Sequence, residues 1–183
     1  VVLVPYTLAQ VGTETSGGAE RVLSAIDEAL VEAGNRSIVI APEGSKVRGE
    51  LVTTGRLGAL FDDAEREAQR VRTREALVRV LAEEHVDVVH FHGLDFAGVL
   101  PPEEDRTPPM LATLHLDGTA YPPAIFRSSR RDLWLHPVSH AQARTLPRCA
   151  ALLPPVPNGI ATAELAPATE AEDYALVLGR VCW

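Results

Sequence analysis

The chain has 183 residues, of which 46% are hydrophobic and 23% charged, the balance of a globular protein with material for one full core. A net charge of −8 argues against a nucleic-acid partner, because phosphate contacts demand a basic face and none is evident. No apolar run approaches the roughly 20 residues of a membrane span and no signal-peptide pattern opens the chain, so a cytoplasmic protein is expected, with at most peripheral membrane contact.

"VVLVPY" (1–6) reads as a buried strand, short, rich in β-branched residues and ending at a loop. Residues 18–33 follow as a helix with Ala19, Val22, Leu23, Ile26, Leu30 and Ala33 on one face. Gly34 and Asn35 stop it. "SIVIAP" (37–42) is a second strand and "ELVTTG" (50–55) a short third. A long helix over about 62–84 has a charged, solvated face, supported by i,i+4 pairs Asp62–Arg66, Glu75–Arg79 and Arg79–Glu83. "VDVVHFHG" (86–93), "PMLATLHLD" (109–117) and "LWLHPVS" (133–139) are further strands, the last leading into a helix capped by Ser139. "ALLPPVPNGI" (151–160) ends the run as a short edge strand, limited by Pro154, Pro155 and Pro157.

Strands alternating with helices predict an α/β fold with a doubly wound, mainly parallel sheet over residues 1–160. Residues 161–173 read as a linker, and "YALVLGRVCW" (174–183) as the first strand of a second domain, so both chain ends are expected to be trimmed. Ligands of such sheets bind beyond the carboxyl ends of the strands. Thr7 to Gly18, Glu43, His92, Gly93, His115 to Asp117, Ser139, Asn158 and Gly159 collect there on a single edge.

Several residues on that edge admit two readings. The bare pair Gly17-Gly18 either caps the helix or exposes its first N–H groups to an anion, and the G-x-G-x-x-G fingerprint that would decide for a dinucleotide is absent. His90 and His92 share a strand face and, with His115 and Asp117, have the residue types of a metal set; the plainer reading packs His90 on a helix and lets His92 mark the strand end. Nothing supplies the further ligands, and no metal is expected. His115, at the end of a central strand, is either a hydrogen-bonded core residue or a donor to a sugar hydroxyl or phosphate. "FRSSRRDLW" (126–134) reads as a surface loop in preference to a contact for anionic lipid. Cys149 and Cys182 are too few and too far apart for a disulfide framework. No G-x-S-x-G elbow and no P-loop occur.

Taken together, "SGGAERVLSAIDEALVEAGNRSIVIAP", "VDVVHFHG", "LATLHLD", "HPVSHAQARTLP", "VPNGIA" and "LVLGR" resemble, in order and spacing, the family 4 glycosyltransferases. The resemblance implies a retaining enzyme with the GT-B fold, two Rossmann-like domains facing each other across a cleft. Residues 1–160 would then be the N-terminal, acceptor-binding domain, and residues 174–183 would open the donor-binding domain. Gly17 and Gly18 match the family's glycine loop, which approaches the donor diphosphate. His115 matches the histidine near the transferred sugar, and Arg180 the arginine that pairs with the diphosphate. Asn158-Gly159 match the turn leading to the hinge. The sequence departs from the family's pattern at Leu116, which separates Asp117 from the histidine. His92, Gly93, Asp117, Ser139 and Asn158 are expected as acceptor or cleft residues.

The resemblance implies a nucleotide-sugar donor as substrate, no cofactor and no metal. The acceptor is left open, with residues 43–62 and 118–132 (Tyr121 and Phe126 among them) expected to select it. The chain alone is expected to be inactive without its C-terminal domain. Two other readings stand beside this one, a GT-B-shaped nucleotide-sugar epimerase and a free-standing Rossmann-like binding module.

Overall fold

A computed structural model describes residues 1–159 except 16, 61, 105 and 106. The linker and the strand expected over 161–173 and 174–183, with Arg180, lie outside the described residues.

Six strands form where the apolar runs place them: β1 (Val2–Val4), β2 (Ile38–Ala41), β3 (Glu50–Thr53), β4 (Val89–Phe91), β5 (Met110–Leu114) and β6 (Leu133–Pro137). They make one sheet in the order β3-β2-β1-β4-β5-β6, and every pairing is parallel. This is a Rossmann-like α/β arrangement. β1 lies between β2 and β4, with Val2 opposite both Ile38 and Val89. The chain leaves β1 toward one edge and returns at β4 to build toward the other, so the order reverses between β1 and β4. That reversal opens a crevice at the carboxyl ends of these two strands.

The period of two along each strand separates two cores. Leu3, Val39 and Ala41 point to one side, where they meet Leu23 of helix α1 (Gly18–Glu32) and Val11. Val2, Val4, Ile38 and Ile40 point to the other, where they join Ala76, Leu77 and Val80 of helix α2 (Asp63–Glu83). The same cluster continues through Phe91, Met110, Ala112, Leu114 and Leu135. β3, at the edge, keeps Glu50 and Thr53 exposed.

The helix ends follow local chemistry. Gly34, at φ +78, lets α1 turn back so that Asn35 N–H donates to the Leu30 carbonyl at 2.9 Å. The expected apolar face is only partly inward: Leu23 is buried, Ala33 is exposed, and Asp27 is buried instead. The Asp27 carboxylate accepts from the amides of Arg48 at 2.6 Å and Gly49 at 3.2 Å, which ties the β2–β3 loop to α1. Asp62 caps α2 by accepting from Glu65 N–H at 2.8 Å. Ion pairs along α2 use other spacings than those expected, Arg70 with Glu67 at 2.6 Å and Arg72 with Glu65 at 2.8 Å among them.

A short third helix, α3 (His140–Thr145), begins at Ser139, whose hydroxyl accepts from Gln142 N–H at 3.1 Å. In place of the expected edge strand, the described part of that segment (151–159) runs beside β6 with a bridge at Leu152 and Leu135, and past Pro154 and Pro155 the Val156 N–H still donates to the Pro137 carbonyl at 3.0 Å. Residues 118–132 are more ordered than the expected loop. They hold two 3₁₀ turns, Gly118–Ala120 and Pro123–Arg127, that bury Tyr121, Ile125 and Phe126 in the core. Arg130 also turns inward, to Asp132 at 2.8 Å and the Pro101 carbonyl at 2.7 Å. No helix among the described residues is long and apolar enough to cross a membrane.

Candidate functional site

The crevice at the reversal point is a cleft of about 1020 Å³. The β1–α1 loop supplies one wall through Tyr6, Leu8, Ala9 and Gln10. Gly17, Gly18 and Glu20 supply the start of α1, His92 follows β4, and His115 and Leu116 follow β5. Tyr121 and Asn158 close the rim.

The loop carrying the glycines is held at its middle. Lys46 N–H donates to the Val11 carbonyl at 2.8 Å, and Val11 N–H donates to Ser45 Oγ at 3.0 Å. Thr7 Oγ donates to Asp95 Oδ2 at 2.5 Å, which anchors the loop's start to the turn after β4. Burial raises the Asp95 pKa above the usual carboxylate value, and the Thr7 hydrogen bond partly offsets this.

The two glycines do different things. Gly17 is the N-cap residue in extended conformation, and a Cβ there would run into the Glu20 carboxylate. Gly18 opens the helix and lines the cleft, and a Cβ there would meet nothing within 4 Å. Gly17 therefore makes room for Glu20, and Gly18 adds no side chain to the cleft wall. Glu20 was not singled out in the sequence, although an acid in a helix's first turn is a recognisable signal. Its carboxylate sits where the helix N-terminus would otherwise attract an anion.

His115 is held by its neighbours in chain and in space. The Gln142 amide nitrogen donates to the carbonyls on either side of it, Leu114 at 2.7 Å and Leu116 at 2.6 Å. Leu116 N–H donates to the Tyr121 hydroxyl at 3.2 Å. The ring's Nε2 lies 3.0 Å from His92 Nδ1, and the two rings meet edge to edge, 28° from coplanar with centroids 5.2 Å apart. Burial, with a smaller contribution from His136, lowers the His115 pKa to about 4. At neutral pH it is an uncharged imidazole with one donor and one acceptor.

Behind it stands a second pair of histidines. His90 Nε2 is 2.7 Å from Thr113 Oγ1, which is 3.1 Å from His136 Nε2, whose Nδ1 donates to the Pro137 carbonyl at 3.1 Å. Burial first, then the neighbouring histidines, lowers His90 to about 4 and His92 well below the usual range. His136 and Thr113 were not anticipated. Their signal was one polar residue on each of two apolar strands, facing the same layer as the H-x-H pair.

The other expected residues separate by role. Gly93 is a packing glycine, since a Cβ would lie 2.7 Å from Tyr6 Cα and 2.8 Å from the Pro5 carbonyl. Asp117 is turned away from His115 into its own turn, accepting from Thr119 N–H at 2.9 Å, which lowers its pKa. Ser139 caps α3, and through Gln142 that helix start supports the β5 end. Asn158 lines the cleft and also a smaller groove of about 410 Å³ against Val22, Ala25, Ile26 and Ala29. Among the described residues, no group of three or more His, Cys, Asp or Glu side chains converges as a metal-ligand set.

The family model for Glycosyltransferase Family 4 matches residues 16–163. No curated protein matches the chain. Among solved structures it is similar to AviGT4, a glycosyltransferase involved in avilamycin A biosynthesis, with 16% sequence identity and a TM-score of 0.45. That match covers 85% of this chain and 42% of AviGT4, so the chain spans less than half the length of that protein.

Proposed function

Since the chain belongs to Glycosyltransferase Family 4, we propose that it is the N-terminal, acceptor-side domain of a retaining glycosyltransferase with the GT-B fold. The enzyme would move a sugar from a nucleoside-diphosphate donor to an acceptor hydroxyl. The observation that carries the reading is the meeting of Gly18 and His115 on one cleft, a helix N-terminus on one wall and a neutral imidazole on the other.

The chemistry suits those parts. The helix's first N–H groups and the positive end of its dipole attract the diphosphate once the Glu20 carboxylate moves aside. His115 donates to a hydroxyl of the transferred sugar, holding it as the bond to the diphosphate breaks. The bond from C1 to the acceptor oxygen forms on the same face. The leaving diphosphate takes the acceptor proton. Positioning and placed hydrogen bonds carry the acceleration.

The donor half of the site, including the role of Arg180 beside the diphosphate, belongs to the C-terminal domain, so this chain alone transfers no sugar. The test is a panel of nucleotide sugars and acceptor hydroxyl compounds with the natural full-length protein. The expected product carries the sugar with the donor's anomeric configuration. An inverted product, or an isomerised donor with no acceptor product, overturns the reading.

A further inference from the structure

Four histidines, His90, His92, His115 and His136, stand at or near the ends of three neighbouring strands, and their hydrogen bonds divide them into two pairs. The pair nearer the cleft has an asymmetry. His92 is 2% exposed, its Nδ1 faces His115 Nε2 at 3.0 Å, and its own Nε2 is buried with no partner among the described residues. Among the described residues His115 Nδ1 has no partner either, yet it is not sealed from solvent.

One ring must donate to the other, and there are two ways. If His115 Nε2–H donates, His92 carries its proton on Nε2, and an N–H is buried with nothing to receive it. If His92 Nδ1–H donates, His92 Nε2 is a bare lone pair, and His115 keeps its proton on Nδ1. Orphaned buried N–H groups are rarer in folded proteins than under-used acceptors, and each costs the full desolvation of the group. The second arrangement wins. An imidazolium on either ring is disfavoured by burial.

We infer that His92 is a positioning residue that fixes His115 in its Nδ1–H tautomer, so that the cleft is offered a hydrogen-bond donor at Nδ1 while Nε2 is occupied as an acceptor. His92 itself does not reach a ligand. His115 then presents a proton to a hydroxyl oxygen or a phosphate oxygen, and presents no free base to the cleft. The consequence for sugar transfer rests on the function proposed above, whereas the tautomer does not.

Long-range ¹H–¹⁵N correlation spectra of the ¹⁵N-histidine-labelled 183-residue chain at neutral pH test this, with resonances assigned by single substitutions. His115 is expected to show a pyrrole-type Nδ1 and a pyridine-type Nε2. His92→Leu removes the donor and should return His115 toward the Nε2–H form common in free imidazole. His92→Asn keeps an amide donor on Cγ, where Nδ1 is attached, and should keep the Nδ1–H form. The wild-type spectrum decides the tautomer even where a variant does not fold. A wild-type His115 protonated on Nε2 or on both nitrogens overturns the inference, as does an Nδ1–H form that survives in folded His92→Leu. If the tautomer is as stated but the full-length protein transfers no sugar, the proposed function fails and the positioning role stands.

Discussion

A side chain added at Gly18 meets no protein atom within 4 Å, whereas one at Gly17 meets the Glu20 carboxylate, so neighbouring substitutions should separate two effects. Gly18→Val should leave the melting temperature close to wild type, because the helix start has room and φ there suits any residue. It should lower transfer by the full-length protein at least about tenfold, roughly 1.4 kcal/mol, by filling the approach to the helix N-terminus. Equal loss of stability and activity would make Gly18 a cap alone. The histidines give a second prediction. His90, His92 and His115 have folded pKa values below the unfolded value, so the unfolded chain binds more protons between pH 4 and 6.5. Their contribution is fully present above about pH 6.5 and is lost as the pH falls toward 4. His90 alone accounts for about 2 kcal/mol between pH 7 and 5, which is roughly 4–8 °C in melting temperature. Thermal melts across that range check it, and an unchanged midpoint would mean the imidazoles are not buried neutral.

Among the elements, the pattern of residues revealed the six paired strands and three α-helices of the described residues, because each rests on a local signal. Apolar β-branched runs, Gly34 beyond α1, Asp62 before α2 and Ser139 before α3 are all visible in the chain. The 3₁₀ turns after β5 were missed, since three to five residues carry no period and only the core beneath them draws in Tyr121 and Phe126. The candidate site was legible as far as which residues reach the strand ends. Their roles were not, because Asp117 turning into its own loop and Gly93 passing over β1 are decided by contacts between distant segments. Asp27 shows the same limit. It reads as a polar position on α1, yet it is buried to receive two loop amides. Asp27→Ala should cost about 1–3 kcal/mol by leaving those amides unpaired. It should also raise hydrogen exchange at Arg48 and Gly49 while α2 stays protected. Unchanged exchange at these two amides would show that the loop does not depend on the carboxylate.

For the whole molecule, the sheet and its two helix layers within residues 1–159 should suffice for a cooperative melt of the isolated chain. Deletion of residues 174–183 should leave that melt in place; a collapse would mean those residues complete this core. The 183-residue chain should also bind nucleotide sugars far more weakly than micromolar, which calorimetry reads directly. Tight binding by the isolated chain would favour a free-standing binding module. If the cleft joining Gly18 and His115 is half of a sugar-transfer site, as proposed, His115→Ala in the natural full-length protein should separate turnover from melting temperature. Turnover should fall about ten- to a thousandfold in kcat, roughly 1.4–4 kcal/mol, with the melting temperature near wild type. Wild-type turnover in the folded variant, or a loss matched by unfolding, would contradict the proposal.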